Sequence, residues 1–447
     1  MVLGDGIGPA RIASALAGVF AVRLVYEMSM MWFGDRRSAL WAALMYILSR
    51  AFYFPATMAR PDMLASTLGL AAIWFAARYC RKPGWVLVAA SGLAAGLSVL
   101  AHPMGTVPCA QVGLWLLLRP VQDNLTRIVS EGTGQNSPRS RVGLVWPVAF
   151  SRSNLRCRIA AAAIFTVAVL GAVGLWIPLI ALHPDLFWSQ FGGNVLARSG
   201  PSVGHAMLQP WSVLAFHGKL IWEHLMPIQA GLCLLAITWS VVRAWHTKAS
   251  REFLFHLLAS VLLLVLFMGR HPAKGYYAYP AALASVAAGL LASSIAASLK
   301  HFFCVAGRPW CRRTIAPIVT LGLVLALLPG AGLRTLWAHV RNWDNPAYDA
   351  RRLARMMMDD LPPQSRVAVD GYYAMYFYLA GRDVVDAIVY PFYFDVRSEQ
   401  FDYMILGPIG LQQVKPYVGG LELIQWYGDK SDRFAHYAEL YGITRVK

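Results

Sequence analysis

About ten apolar runs divide the first 336 positions, each near the 17 to 25 residues that a helix needs to cross a bilayer. They cover roughly 10–32, 38–55, 62–79, 84–101, 103–118, 158–182, 225–242, 253–269, 276–298 and 314–336, the fifth being short. So much apolar sequence cannot be hidden in one water-soluble core. Composition agrees: 57% of the 447 residues are hydrophobic, 14% are charged, and the mean hydropathy is +0.48. The expected fold class is an α-helical polytopic membrane protein.

Basic residues alternate between the connecting segments, as the positive-inside rule requires. Arg36 and Arg37, the group Arg78, Arg81 and Lys82, the stretch from Arg119 to Arg158, the group Arg243, Lys248 and Arg251, and the group Lys300, Arg308, Arg312 and Arg313 form the cytoplasmic set. The segments with Arg60, with His102, from His183 to His224 and from Arg270 to Lys274 carry less positive charge and are expected to face outward. The formal charge of +17 is thereby explained by topology, and no nucleic acid is implied as a partner.

Ten spans in this orientation put Met1 outside, although "MVLGDGIGPA" has neither a charged n-region nor an apolar h-region. The expectation is that one helix and one outer loop precede this reading frame. Residues 131–141, "EGTGQNSPRSR", read as a cytoplasmic linker. Two domains are expected, a membrane domain over 1–337 and an extracytoplasmic α/β domain over 338–447. In the latter, "NPAYDARRLARMMMDDLPP" has helical spacing, and "SRVAVDG", "DYMILG" and "LELIQWYG" read as strands. The six cysteines show no zinc spacing, and the C-terminal region has none, which argues against a disulfide-stapled exterior.

Ionisable residues at span edges are costly, so their clustering on one side marks a candidate site. Arg60-Pro61-Asp62 opens the third span; Asp62 suits a helix N-terminus, whereas Arg60 adds a charge that capping does not need. His102 sits in "LAHPMG", which also reads as a polar turn. "GRHPAKGYYAYPAAL" gathers Arg270, Lys274 and Tyr277, a set suited to a phosphate at the bilayer surface or to an aromatic belt with snorkelling cations. The aromatic segment from His183 to His224 reads as interfacial. Arg23 and Glu27, four apart, read as a structural pair. No glycine-rich phosphate loop, zinc-protease helix or nucleophile elbow is present.

The stretch from "RIASALAGVFAVRLVYEM" to "MARPDMLAS", the "GLAAGLSVLAHPMG" segment and "KGYYAYPAALASVAAG" together resemble the C-type glycosyltransferases of the protein O-mannosyltransferase and aminoarabinose-transferase kind. The resemblance covers residues 1 to about 336 and suits a small soluble C-terminal domain. It implies an integral membrane enzyme that takes a sugar from a polyprenyl-phosphate donor and gives it to an acceptor on the outer side. Arg60 and Asp62 match a second acidic position near the lipid-phosphate end of the cavity. Lys274 and Tyr277 match the loop meeting the carrier phosphate, and His102 matches a recurring turn. The family's catalytic carboxylate lies in a first outer loop that precedes this chain's first residues, and Asp5 does not match it, so no catalytic base is assigned.

The expected chemistry is inverting transfer, with Arg60, Arg270 and Lys274 stabilising the leaving lipid phosphate, Tyr277 donating a hydrogen bond, and Asp62 in a supporting role. No cofactor is implied, and a divalent metal is left open. The expected partners are membrane lipid, the polyprenyl-phosphate sugar and an unassigned acceptor. The expected location is a bacterial inner membrane with the C-terminal domain outside. Two alternatives are a transporter or flippase of an anionic lipid-linked substrate, disfavoured by the lack of internal repeats, and an inactive lipid-sugar-binding relative lacking the first-loop acid.

Overall fold

The structure, a computed structural model, describes residues 7–57, 61–118, 152–191, 208–225, 227–244, 247–268, 274–305, 311–327, 333–387, 401–418, 420–432 and 434–443. The chain divides into two compact units: Ala13–Leu182 with Pro201–Leu327, and Met1–Ile12 with His183–Gly200 and Leu328–Lys447. The linker expected at 131–141 lies outside the described residues, as does Asp5.

The first unit is a helical bundle. Its helices are α1 (Ile7–Phe33, begun in the other unit), α2 (Arg36–Ile47), α3 (Arg50–Thr57), α4 (Asp62–Arg81), α5 (Trp85–Ala101), α6 (Thr106–Leu118), α7 (Arg152–Val173) and α8 (Ile177–Leu182). After α9 (Pro184–Phe191) of the second unit come α10 (Pro210–Leu225), α11 (Pro227–Ala244), α12 (Lys248–Met268), α13 (Ala278–Val305) and α14 (Cys311–Leu327). Among the described residues, five helices are long and apolar enough to cross a membrane alone. The α2–α3 pair, bent by 59°, makes a sixth, and three shorter apolar helices accompany them. Every one of the ten expected segments contains helix. Of the expected tenth span, 314–327 falls on α14 and 333–336 on the next described helix, α15 (Leu333–Arg341), while 328–332 lies outside the described residues.

Lipid is as apolar as leucine, so small residues and interhelical hydrogen bonds must hold such a bundle together. A Cβ on Gly92 would fall 2.4 Å from the Phe165 carbonyl oxygen, and one on Gly96 would fall 2.6 Å from the Ala172 Cβ; α5 and α7 therefore touch backbone to backbone. Gly289 plays the same part between α13 and α2, where a Cβ would meet the Ser38 carbonyl oxygen at 2.4 Å. The Ser91 hydroxyl donates to the Ala72 carbonyl at 2.7 Å and the Thr67 hydroxyl to the Ala17 carbonyl at 2.8 Å, joining α5 to α4 and α4 to α1. Arg23 and Glu27 form the expected ion pair.

The second unit contains a five-stranded sheet. After α15 come α16 (Ala350–Asp359), β1 (Val367–Val369), α17 (Gly371–Leu379), β2 (Val384–Asp386), β3 (Tyr403–Leu406), α18 (Pro408–Gln413), β4 (Leu421–Gly428) and β5 (Tyr437–Ile443). The strand order is β2-β1-β3-β5-β4, with β1 parallel to β2 and β3, and β5 antiparallel to β3 and β4. One face of the sheet meets α16 and α17 through Leu353, Met357, Val367, Val369, Tyr373 and Phe377. The buried Asp370 ties the ends of β1 and β3 together, accepting N–H bonds from Tyr372 at 3.2 Å, Gly407 at 3.1 Å and Gly410 at 3.0 Å. Burial pushes its carboxyl above the usual range against the pull of those donors.

Candidate active site

Asp62 is the first residue of α4, and Pro61 before it fixes φ for the helix start. Its side chain is fully buried at one end of the bundle. Two turns close around it. The first is the 3-10 turn Pro103–Gly105 that follows α5, whose tightness depends on Gly105: a Cβ there would fall 2.2 Å from the Ser98 carbonyl carbon. The second is the 3-10 turn Lys274–Tyr277, which leads into α13.

His102 joins the first turn to Asp62. Its Nδ1 accepts the Met104 N–H at 3.1 Å, which in a neutral imidazole leaves the proton on Nε2. That Nε2 lies 3.4 Å from Asp62 Oδ1, so the ring presents its donor to the carboxylate. The ring also packs on Tyr276 with centroids 4.9 Å apart.

The second turn reaches the other carboxylate oxygen. A Cβ on Gly275 would sit 2.4 Å from Asp62 Oδ2, so glycine is what allows the 274–277 backbone to lie against the acid. Two residues on, the buried Tyr277 hydroxyl is 2.8 Å from Nδ1 of the buried His217 on α10. Behind the turn, Tyr46 donates to the Ala278 carbonyl at 3.2 Å, and Tyr279 donates to Gln111 at 2.9 Å. The start of α13 is therefore held by side-chain hydrogen bonds to α2, α6 and α10.

Three of the clusters singled out from the sequence thus meet at one place: Asp62, His102 and the Lys274–Tyr277 turn. Arg60 and Arg270 lie outside the described residues, and for Lys274 the backbone position alone is described, at the start of its turn. The fourth segment, expected to be interfacial, supplies a buried side chain here through His217. Sequence reasoning passed over that residue; a lone histidine on an aromatic helix carries no spacing signal, and only its pairing with Tyr277 reveals it. Among the described residues no three His, Cys, Asp or Glu side chains come together as a metal cage, and Asp62 with His102 supplies two.

Residues 1–130 match the sequence profile of the dolichyl-phosphate-mannose-protein mannosyltransferase family. The chain also superposes on the crystal structure of ArnT from Cupriavidus metallidurans, in the apo state with a TM-score of 0.52 and bound to undecaprenyl phosphate with a TM-score of 0.50. Each match has 16% identity and covers 96% of this chain and 83% of that one. The chain has the C-type glycosyltransferase fold. The archaeal oligosaccharyltransferase AglB from Archaeoglobus fulgidus, in complex with an inhibitory peptide and a dolichol-phosphate, is matched more distantly, at 14% identity and a TM-score of 0.46 over 84% of this chain and 53% of that one. No curated protein matches the chain in sequence. The family match includes Asp62 and His102, and the long apolar helices are those of an integral membrane protein.

Proposed function

We propose that this chain is a membrane glycosyltransferase that moves a sugar from a polyprenyl-phosphate carrier to an acceptor on the outer side of a bacterial inner membrane, with inversion at the anomeric carbon. The observation that carries the reading is the junction of Asp62, His102 and the glycine-bearing turn before α13, three ionisable or turn elements gathered at one end of a C-type glycosyltransferase bundle.

In the proposed reaction the acceptor hydroxyl gives its proton to a carboxylate and its oxygen attacks the anomeric carbon. A carbon–oxygen bond forms there as the bond to the lipid phosphate breaks, and the phosphate departs with the bonding electrons. That leaving group is anionic, so nearby cations that are already oriented lower the barrier most where water is excluded. Lys274 begins the turn that lies against Asp62, and Arg60 and Arg270 are its proposed companions by resemblance. Asp62 is a positioning residue: it faces the His102 ring on one oxygen and the Gly275 backbone on the other, and so holds the two turns in register. Tyr277, steadied by His217, is the proposed hydroxyl donor to the phosphate.

Asp62→Asn keeps the shape and removes the charge. Transfer from a polyprenyl-phosphate sugar by the full-length protein in its native membrane is expected to fall about 10²-fold or more, with expression unchanged. Lys274→Ala is expected to fall similarly. Wild-type transfer in both variants would remove this site from the reaction. Saturable binding of the lipid donor without turnover would instead favour the inactive lipid-sugar-binding alternative.

A further inference from the structure

The bundle has an ionisable cavity at the end of α13 away from the candidate active site. That helix starts at Ala278 beside the candidate active site, and Lys300 lies about 33 Å further along it at 1.5 Å of rise per residue. The cavity, about 480 Å³, lies between the N-terminal end of α2 and the C-terminal part of α13, and its polar lining is Asp35, Arg37, Ser293, Lys300 and His301, with Trp41 as a wall.

The one carboxylate in this lining is already engaged. Asp35 caps α2, accepting the Arg37 N–H at 3.0 Å, the Ser38 N–H at 3.2 Å and the Ser38 hydroxyl at 2.7 Å, and it also accepts the Ser293 hydroxyl from α13. Four donors hold it to the helix end and to the neighbouring helix. Arg37, Lys300 and the imidazole of His301 also line the space, and among the described residues no carboxylate forms an ion pair with Arg37 or Lys300. A positive-inside bias accounts for basic residues at a span end; it does not require two of them, from helices far apart in sequence, to share a cavity.

The cavity continues into an apolar one. A groove of about 540 Å³ shares Ala297 and His301 with it and adds Ser298 and Phe302, the last being 65% exposed. A polar, cationic chamber opening onto an apolar groove along a membrane helix matches the two parts of a phospholipid. The close contact of Gly289 with α2 keeps the two walls at a fixed separation.

We propose that this cavity binds the phosphate headgroup of an anionic phospholipid, with Arg37 and Lys300 as its charge partners and an acyl chain along the Ala297–Phe302 groove. The site is separate from the candidate active site and does not depend on the transferase reading. Arginine and lysine near a membrane surface recognise anionic headgroups by this pairing.

The test uses the full chain in detergent, with native mass spectrometry counting retained lipid after addition of phosphatidylglycerol or phosphatidylcholine. Phosphatidylglycerol is expected to be retained over phosphatidylcholine, and the Arg37→Gln/Lys300→Gln pair to reduce that retention by about tenfold or more. Lys300→Gln alone, at a half-buried helix position, is expected to give an intermediate loss and keeps the test readable if the double variant fails to fold. Phe302→Ser should weaken retention of the lipid while leaving competition by inorganic phosphate unchanged. Equal retention in wild type and in either charge variant would overturn the site. Inorganic phosphate displacing the lipid completely, with no effect of Phe302→Ser, would overturn the lipid assignment in favour of free phosphate.

Discussion

The two units solve opposite packing problems. In the bundle, large apolar residues such as Val167 (69% exposed) and Leu234 (66%) face outward, while Asp62, Gln111 and His256 are fully buried. In the C-terminal unit the order is reversed: Val369, Phe377 and Ile405 are fully buried, and charged residues such as Arg351 and Arg355 lie outside. Burial of apolar area therefore stabilises the second unit, whereas the first depends on close backbone approach and on satisfying interior polar groups. The same kind of substitution should have different effects in the two.

The sharpest test of this contrast is Gly92→Leu. Its Cβ would meet backbone at 2.4 Å, which no rotamer can relieve, so loss of the folded protein is expected in fluorescence-detected size-exclusion chromatography. Gly113→Ala, whose nearest neighbour would be the Phe165 ring at 3.7 Å, should elute as wild type. In the C-terminal unit the damaging change is a deletion: Phe377→Ala should cost about 3–5 kcal/mol through lost burial and the cavity left behind. It should be read as a lowered melting transition of the C-terminal unit.

Gly275→Ala should act more narrowly. The added methyl meets a movable carboxylate, so the protein should fold, yet the shift of Asp62 away from the 274–277 turn should reduce sugar transfer in the same assay that reads Asp62→Asn.

The smallest expected effect is one of pH. Burial alone would raise the Glu439 carboxyl. Hydrogen bonds from Tyr437 at 2.6 Å, from Tyr441 and from Lys430 at 3.3 Å, with the Lys415 charge, outweigh burial and bring it down from 4.5 to about 2. A carboxylate with a depressed folded-state pKa stabilises above its unfolded value and loses that contribution as pH falls through the folded one. Stability should thus decline between about pH 4.5 and pH 2, and Glu439→Gln should flatten that part of a melting-temperature profile.

Much of this architecture is legible in the residues, for particular reasons. Hydropathy marks the spans because each must match a bilayer. "SRVAVDG", "DYMILG" and "LELIQWYG" contain β1, β3 and β4 because turn residues bound their apolar runs. The strand "YAELYGI" went unread: Ala438, Glu439 and Leu440 favour a helix, and only pairing on both sides with β3 and β4 makes it β5. At the candidate site, Asp62, His102, Lys274 and Tyr277 could be picked out singly, as ionisable or phenolic residues at span edges. Their meeting could not, since it depends on which helices become neighbours, and His217 had no local signal at all.

Strand β4 ends the sheet, and an unpaired edge carrying Leu423, Ile424 and Trp426 exposed could in principle recruit another chain. Its pairing with β5 steps from Leu423 opposite Tyr441 to Gln425 opposite Leu440, leaving Ile424 as an extra residue. That single bulge kinks the edge and breaks the regular row of amide and carbonyl groups which a second copy would need as a template. Ile424 thus makes this edge a poorer template for a second strand by irregularity instead of contact.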